Sequence, residues 1–107
     1  MNHSYDKPEP SRDEVNQWAG PAVLEFGAGW CPHCQAAQPA IETVLADHPE
    51  IKHVKVGDGK GKPLGRSFQV KLWPTLIFLK NGNEMARSVR PTNPAELQDG
   101  LAAITSG

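Results

Sequence analysis

Residues 22–26, Ala-Val-Leu-Glu-Phe, form a short and almost continuous apolar run, closed by Pro21 on one side and Gly27 on the other. Such a segment reads as a strand buried on both faces, which confines the chain to folds whose sheet is covered by helices. The rest of the chain supplies them in alternation. Ser11-Arg12-Asp13-Glu14 fits a capping box, and the helix it opens puts Val15 and Trp18 on one face before Gly20-Pro21 stops it. After the turn Gly27-Ala28-Gly29, a helical pattern starts at Cys31. Ala37, Ile41, Val44 and Leu45 recur in it at three and four residues until His48-Pro49, with a kink predicted at Pro39.

Residues 51–56 read as a second strand. The glycine-rich stretch 57–65, GDGKGKPLG, lacks the G-x-x-x-x-G-K-[ST] spacing of a phosphate loop and reads as a solvated connection. A short helix is predicted over 64–70. Pro74 opens a third strand at 75–79, and Asn81-Gly82 signals a hairpin into an antiparallel strand at 84–89. Asn93-Pro94-Ala95-Glu96 combines an N-cap, a first-turn proline and a capping-box glutamate, and Leu97, Leu101 and Ile104 form the stripe of the last helix. The order is α-β-α-β-α-β-β-α. Its early alternation predicts parallel strands joined by helices, and the hairpin adds an antiparallel edge. A length of 107 residues suits one domain. We place that domain at 11–107, behind a flexible N-terminal arm at 1–10 that holds Pro8 and Pro10.

Both cysteines of the chain lie in Gly29-Trp30-Cys31-Pro32-His33-Cys34-Gln35. Two residues apart, they cannot brace the domain as a disulfide scaffold would, so their purpose is chemical. The pattern Cys31-x2-Cys34 followed by His48-x4-His53 does match a zinc finger. A finger, however, needs both histidines on one helix, and Pro49 breaks the helix between them. Its cysteines belong on a hairpin, whereas these open a helix, and Gln38 stands in the place of the usual aromatic. A reading as two small buried hydrophobes leaves the surrounding turn residues unexplained. A redox reading accounts for each neighbour. Cys31 at a helix start meets unpaired amides and the positive end of the dipole, which favour its thiolate. Cys34 returns to the same face one turn on, within reach of a disulfide. Pro32 costs no hydrogen bond in the first turn. His33, between the sulfurs, would favour the thiolate further when positively charged and so make the disulfide more oxidising.

Charge is nearly balanced, with 11 Lys+Arg against 12 Asp+Glu, and there is no basic run or acidic tail. Nucleic acid and anionic membranes are therefore not expected as partners. No apolar stretch approaches the ~20 residues of a membrane span. The first ten residues lack the apolar core of a secretory signal, so a cytoplasmic location is expected, although a mature exported form would read the same.

The buried strand ending at Phe26, the Trp30-Cys31-x-x-Cys34 motif, Pro39, Trp73-Pro74-Thr75, Asn81-Gly82 and the final amphipathic helix resemble the thioredoxin family in order and spacing. The resemblance covers residues 11–105. It implies an α/β thioredoxin fold, with a central mixed sheet of four to five strands flanked by helices, and a monomeric protein-disulfide oxidoreductase. The implied cofactor is none beyond the Cys31–Cys34 pair itself. The implied partners are protein or peptide thiols and disulfides, with a thioredoxin-reductase-like or glutathione donor. By the same resemblance Cys31 is the nucleophile, Cys34 the resolving thiol, and Trp30 a shield beside the sulfur. Pro74, which sequence alone leaves open as cis or trans, becomes a cis-proline, and the backbone around Trp73, Pro74 and Thr75 pairs with an extended substrate. Glu25 stands where the family buries an aspartate. Burial is expected to raise its pKa so that it accepts the Cys34 proton, with Lys55 as its pair.

Three departures set the chain apart. Pro32-His33 replaces the Gly-Pro of ordinary thioredoxins and matches periplasmic disulfide oxidants, whose helical insertion this chain has no room for. Trp73 replaces a smaller residue, and Arg90 stands where a glycine is usual beside the substrate groove. Pro32-His33 predicts a couple more oxidising than that of ordinary thioredoxin, and with Trp73 and Arg90 at the groove the choice of partner is not inherited from the family. A non-turnover redox sensor or protein-binding adaptor is the alternative.

Overall fold

The computed structural model describes Tyr5 and residues 8–105. Of the arm expected at 1–10, Tyr5 and residues 8–10 are thus described, and the rest lies outside the described residues. The elements follow the predicted order: α1 (Arg12–Asn16), β1 (Pro21–Gly27), α2 (Pro32–Ala46), β2 (Lys52–Gly57), α3 (Pro63–Ser67), β3 (Thr75–Lys80), β4 (Asn83–Val89) and α4 (Ala95–Thr105). Both sides of the capping box at Ser11 form: its side chain accepts the Glu14 amide, and the Glu14 carboxylate accepts the Ser11 amide. At α4, Asn93 Oδ1 accepts the Glu96 amide at 3.3 Å, and the Glu96 carboxylate reaches back to the Thr92 amide. Helix α2 runs unbroken through Pro39. The Asn81-Gly82 hairpin forms with both residues at positive φ, 52° and 81°, as a tight turn between twisted strands requires.

The four strands lie in the order β2-β1-β3-β4. Strands β1 and β2 are parallel, as the alternation predicts, but β3 runs antiparallel to β1, with Phe26 opposite Thr75. The alternation rule fails there because the connection over 58–74 is no crossover. Its one helix is five residues long, and the chain returns to the end of the sheet where β1 and β2 finish. Asp58 donates its amide to Gly27 O at 2.9 Å there, and the chain enters β3 beside the residue at which β1 leaves.

Alternation along the strands divides the core into two layers. Val23, Leu76 and Phe78 face α2 and α4, packing on Ile41, Val44, Leu97, Leu101 and Ile104. Ala22, Leu24, Phe26, Ile77 and Leu79 face the other way, onto Val15, Leu64 and Phe68. Trp18, predicted to share a face with Val15, packs against this second layer. Glu25 lies on the Val23 side of β1, fully buried beneath α2.

Candidate active site

Cys31 is the N-cap of α2, in extended backbone, and Pro32 fills the first helical position without losing a hydrogen bond. The Cys34 amide, an orphan donor of the first turn, points at Cys31 Sγ from 3.3 Å. Both thiols are free and buried. His33 between them is exposed at the second helical position.

The Trp73–Pro74 peptide is cis. Trp73 packs against a small cluster formed by Ala28, Cys31 and Cys34, and its indole N–H donates to Asp58 Oδ2 at 2.9 Å. Trp30, next to Cys31 in the chain, is 74% exposed and meets Trp73 edge-on, ring centroids 5.6 Å apart, and Trp73 packs on the sulfur cluster. Thr75 is buried, its hydroxyl donating to Leu72 O at 2.6 Å. Arg90 adopts the left-handed φ of 53° that suits the glycine expected there. Its amide donates to Pro74 O and its Nε to Trp73 O, both at 2.8 Å, which ties the end of β4 to the proline turn.

Behind the cysteines, β1 and β2 place Glu25 beside Lys55 in register. The ammonium lies 3.8 Å from Glu25 Oε2 and donates to Gln38 Oε1 at 2.7 Å. The predicted pair is thus assembled, but inside a larger network. The Tyr5 hydroxyl donates to Glu25 Oε2. Gln38 Nε2 donates to the same oxygen at 2.8 Å and to Cys34 O at 3.0 Å. His53 Nε2 lies 2.8 Å from Glu25 Oε1. A Cβ built on Gly27 would stand 2.6 Å from Cys34 Sγ and 3.1 Å from the Tyr5 ring, so thiol and phenol border the same spot.

These partners reverse the expected shift of Glu25. Burial pushes its pKa up, but the hydrogen bonds from His53, Tyr5 and Gln38 and the charge of Lys55 outweigh burial and hold it below the ordinary value of 4.5. Burial and one lysine, the contributions expected from sequence, leave out three hydrogen-bond donors. Burial, followed by the Cys31 contact, pushes the Cys34 thiol up to about 12. Burial and the nearby Glu25 charge push the Tyr5 phenol up as well, so it remains a donor.

Two of the missed residues carried a signal. His53 lies two residues before Lys55, hence on the same face of β2, and Gln38 lies one helical turn after Cys34. Tyr5, reaching across from the segment ahead of α1, carried none. The histidines of the zinc pattern go separate ways, His48 to Glu50 at 3.2 Å and His53 to Glu25. Among the described residues, no group of three or more His, Cys, Asp or Glu is arranged to hold a metal ion.

A dithiol closing the mouth of a helix, opposite a cis-proline and backed by a buried carboxylate, defines a thiol–disulfide exchange protein. The comparisons agree. The family model Thioredoxin matches residues 5–103. Thioredoxin 2 from Pseudomonas aeruginosa PAO1, solved in its reduced form, is 51% identical, with a TM-score of 0.85 over 97% of this chain and 96% of that one. Thioredoxin-1 of Saccharomyces cerevisiae is 32% identical over 81 residues, 76% of this chain and 78% of the relative. The thioredoxin of Chlamydia pneumoniae is 32% identical over 71 residues, 66% and 70% of the two chains. The chain belongs to the thioredoxin family and is a thiol–disulfide oxidoreductase.

Proposed function

We propose that the protein exchanges disulfides with protein or peptide substrates through a mixed disulfide at Cys31, and that its couple is more oxidising than that of a Gly-Pro thioredoxin. One observation carries the exchange reading, the asymmetry of the two sulfurs. Cys31 Sγ receives an amide at the positive end of a fifteen-residue helix, where negative charge is favoured. Cys34 sits behind it with its thiol pushed up to about 12.

In the reducing direction, the Cys31 thiolate attacks one substrate sulfur, and the other leaves as a thiolate and takes up a proton. Cys34 then gives up its proton and attacks Cys31 Sγ. The Cys31–Cys34 disulfide closes, the second substrate thiolate departs, and two electrons have passed to the substrate. Glu25, ionised and adjoining the Cys34 turn through Gln38, is the proton acceptor for the second step, with Lys55 balancing its charge. The substrate lies as an extended strand along the backbone at Trp73, Pro74 and Thr75, in the segment that Arg90 holds in place.

The oxidising character is supported by the Pro32-His33 dipeptide and by the place of His33 in the first helical turn. A cationic imidazole there favours the thiolate and thereby the reduced state. A glutathione redox titration tests this. Replacing Pro32-His33 by Gly-Pro should lower the potential by some tens of millivolts, each ~30 mV corresponding to about 1.4 kcal/mol. An unchanged potential would remove His33 from the account. Insulin reduction with dithiothreitol tests exchange itself, and stoichiometric oxidation without turnover would favour a sensor instead.

A further inference from the structure

The stretch that resembles but does not fit a phosphate loop assembles a charged groove. Asp58, Gly59, Lys60, Lys62, Arg66, Val70, Lys71 and Trp73 line a depression of about 330 Å³. That is near the lower end of the ~300–1,000 Å³ of small-ligand clefts, room for a few side chains rather than a cofactor. Residues 58–71 hold four of the chain's eleven cations and one of its twelve carboxylates, so the remainder of the molecule is acidic.

Those four cations are exposed, and among the described residues none makes an ion pair. Other cations are engaged, as Arg87 is with Glu84 and Arg90 with the Trp73 carbonyl. The one carboxylate in the lining, Asp58, already accepts the Trp73 indole N–H. Trp73 also packs on the Cys31–Cys34 cluster, so one indole is both a wall of the groove and a neighbour of the sulfurs. A segment seated in the groove and running past Trp73 comes to the redox centre, so the groove bears on the choice among disulfide substrates.

We propose that this groove docks the acidic flank of a client segment whose disulfide is presented to Cys31, making Lys60, Lys62, Arg66 and Lys71 determinants of client choice. The proposal rests on the disulfide-exchange reading and specifies its substrate class. Exposed charges act chiefly on encounter and are screened over about 8–10 Å at moderate salt, so the preference belongs to kcat/KM and fades as salt rises.

The test uses three peptides with one common disulfide loop, flanked by three Glu, three Ser or three Lys, turned over by the full chain with dithiothreitol. At low ionic strength kcat/KM should favour the Glu-flanked over the Lys-flanked peptide by about tenfold, shrinking toward equality in 0.5 M salt. In a Lys60→Glu, Lys62→Glu double variant the ratio should fall to one or invert. Equal rates for the acidic and basic peptides, or a preference that survives the double variant, would overturn the groove. Turnover of none of the three would sink the exchange reading and the groove with it.

Discussion

Because the Cys34 thiol is pushed up while Glu25 is held down, the proton that must leave for resolution starts firmly on sulfur and faces a weak base. General-base catalysis is most effective when donor and acceptor pKa values lie near the working pH, so a mismatched pair contributes at the low end of its range. Glu25→Gln should therefore slow resolution of the mixed disulfide on the order of a hundredfold while leaving attack by Cys31 much less affected. A rapid-quench experiment that traps the mixed disulfide would show it accumulating, and equal slowing of both steps would speak against a proton-accepting Glu25. Tyr5→Phe removes one donor from Glu25 and leaves the ring beside Gly27. The Glu25 pKa should then rise toward 4.5, readable by NMR titration of its carboxyl carbon.

At the scale of elements, helix α4 is seated by its one interior glycine. A Cβ on Gly100 would lie 2.5 Å from two carbons of the buried Phe78 ring. Alanine would gain about 1 kcal/mol of helix propensity, but forcing a methyl against a packed aromatic costs typically 1–3 kcal/mol. Gly100→Ala should come out destabilised by about 1 kcal/mol, seen as a lower urea midpoint at unchanged slope. Local chemistry made the elements legible from sequence. Ser11 with Glu14 and Asn93 with Glu96 mark a boundary through hydrogen bonds three residues apart, Pro32 through its missing amide hydrogen, and Asn81-Gly82 through positive φ. The direction of β3 was not legible, because it depends on where a seventeen-residue connection turns back, and no single residue encodes that. The site divides the same way. Cys31 and Cys34 follow from the motif and the Glu25–Lys55 pair from the family resemblance, whereas Tyr5 reaches Glu25 only through tertiary docking.

Across the whole molecule, the buried carboxylate ties stability to pH. Glu25 has a folded pKa below its unfolded one, so its contribution is complete above about 4.5 and is lost as pH falls through the folded value. Urea midpoints should decline on that acid side, and more shallowly in Glu25→Gln, with parallel decline in both proteins arguing for other carboxylates. The docking of Tyr5 bears on what the working unit is. Among the described residues, the core, both sheet faces and all four helices lie at Arg12 and beyond, yet one wall of the space beneath Cys34 comes from position 5. The smallest fragment that folds and the smallest that reacts normally are then different lengths of chain. A protease nick or a bulky fusion ahead of Ser11 would spare the circular dichroism spectrum and still change how fast the inner sulfur is alkylated.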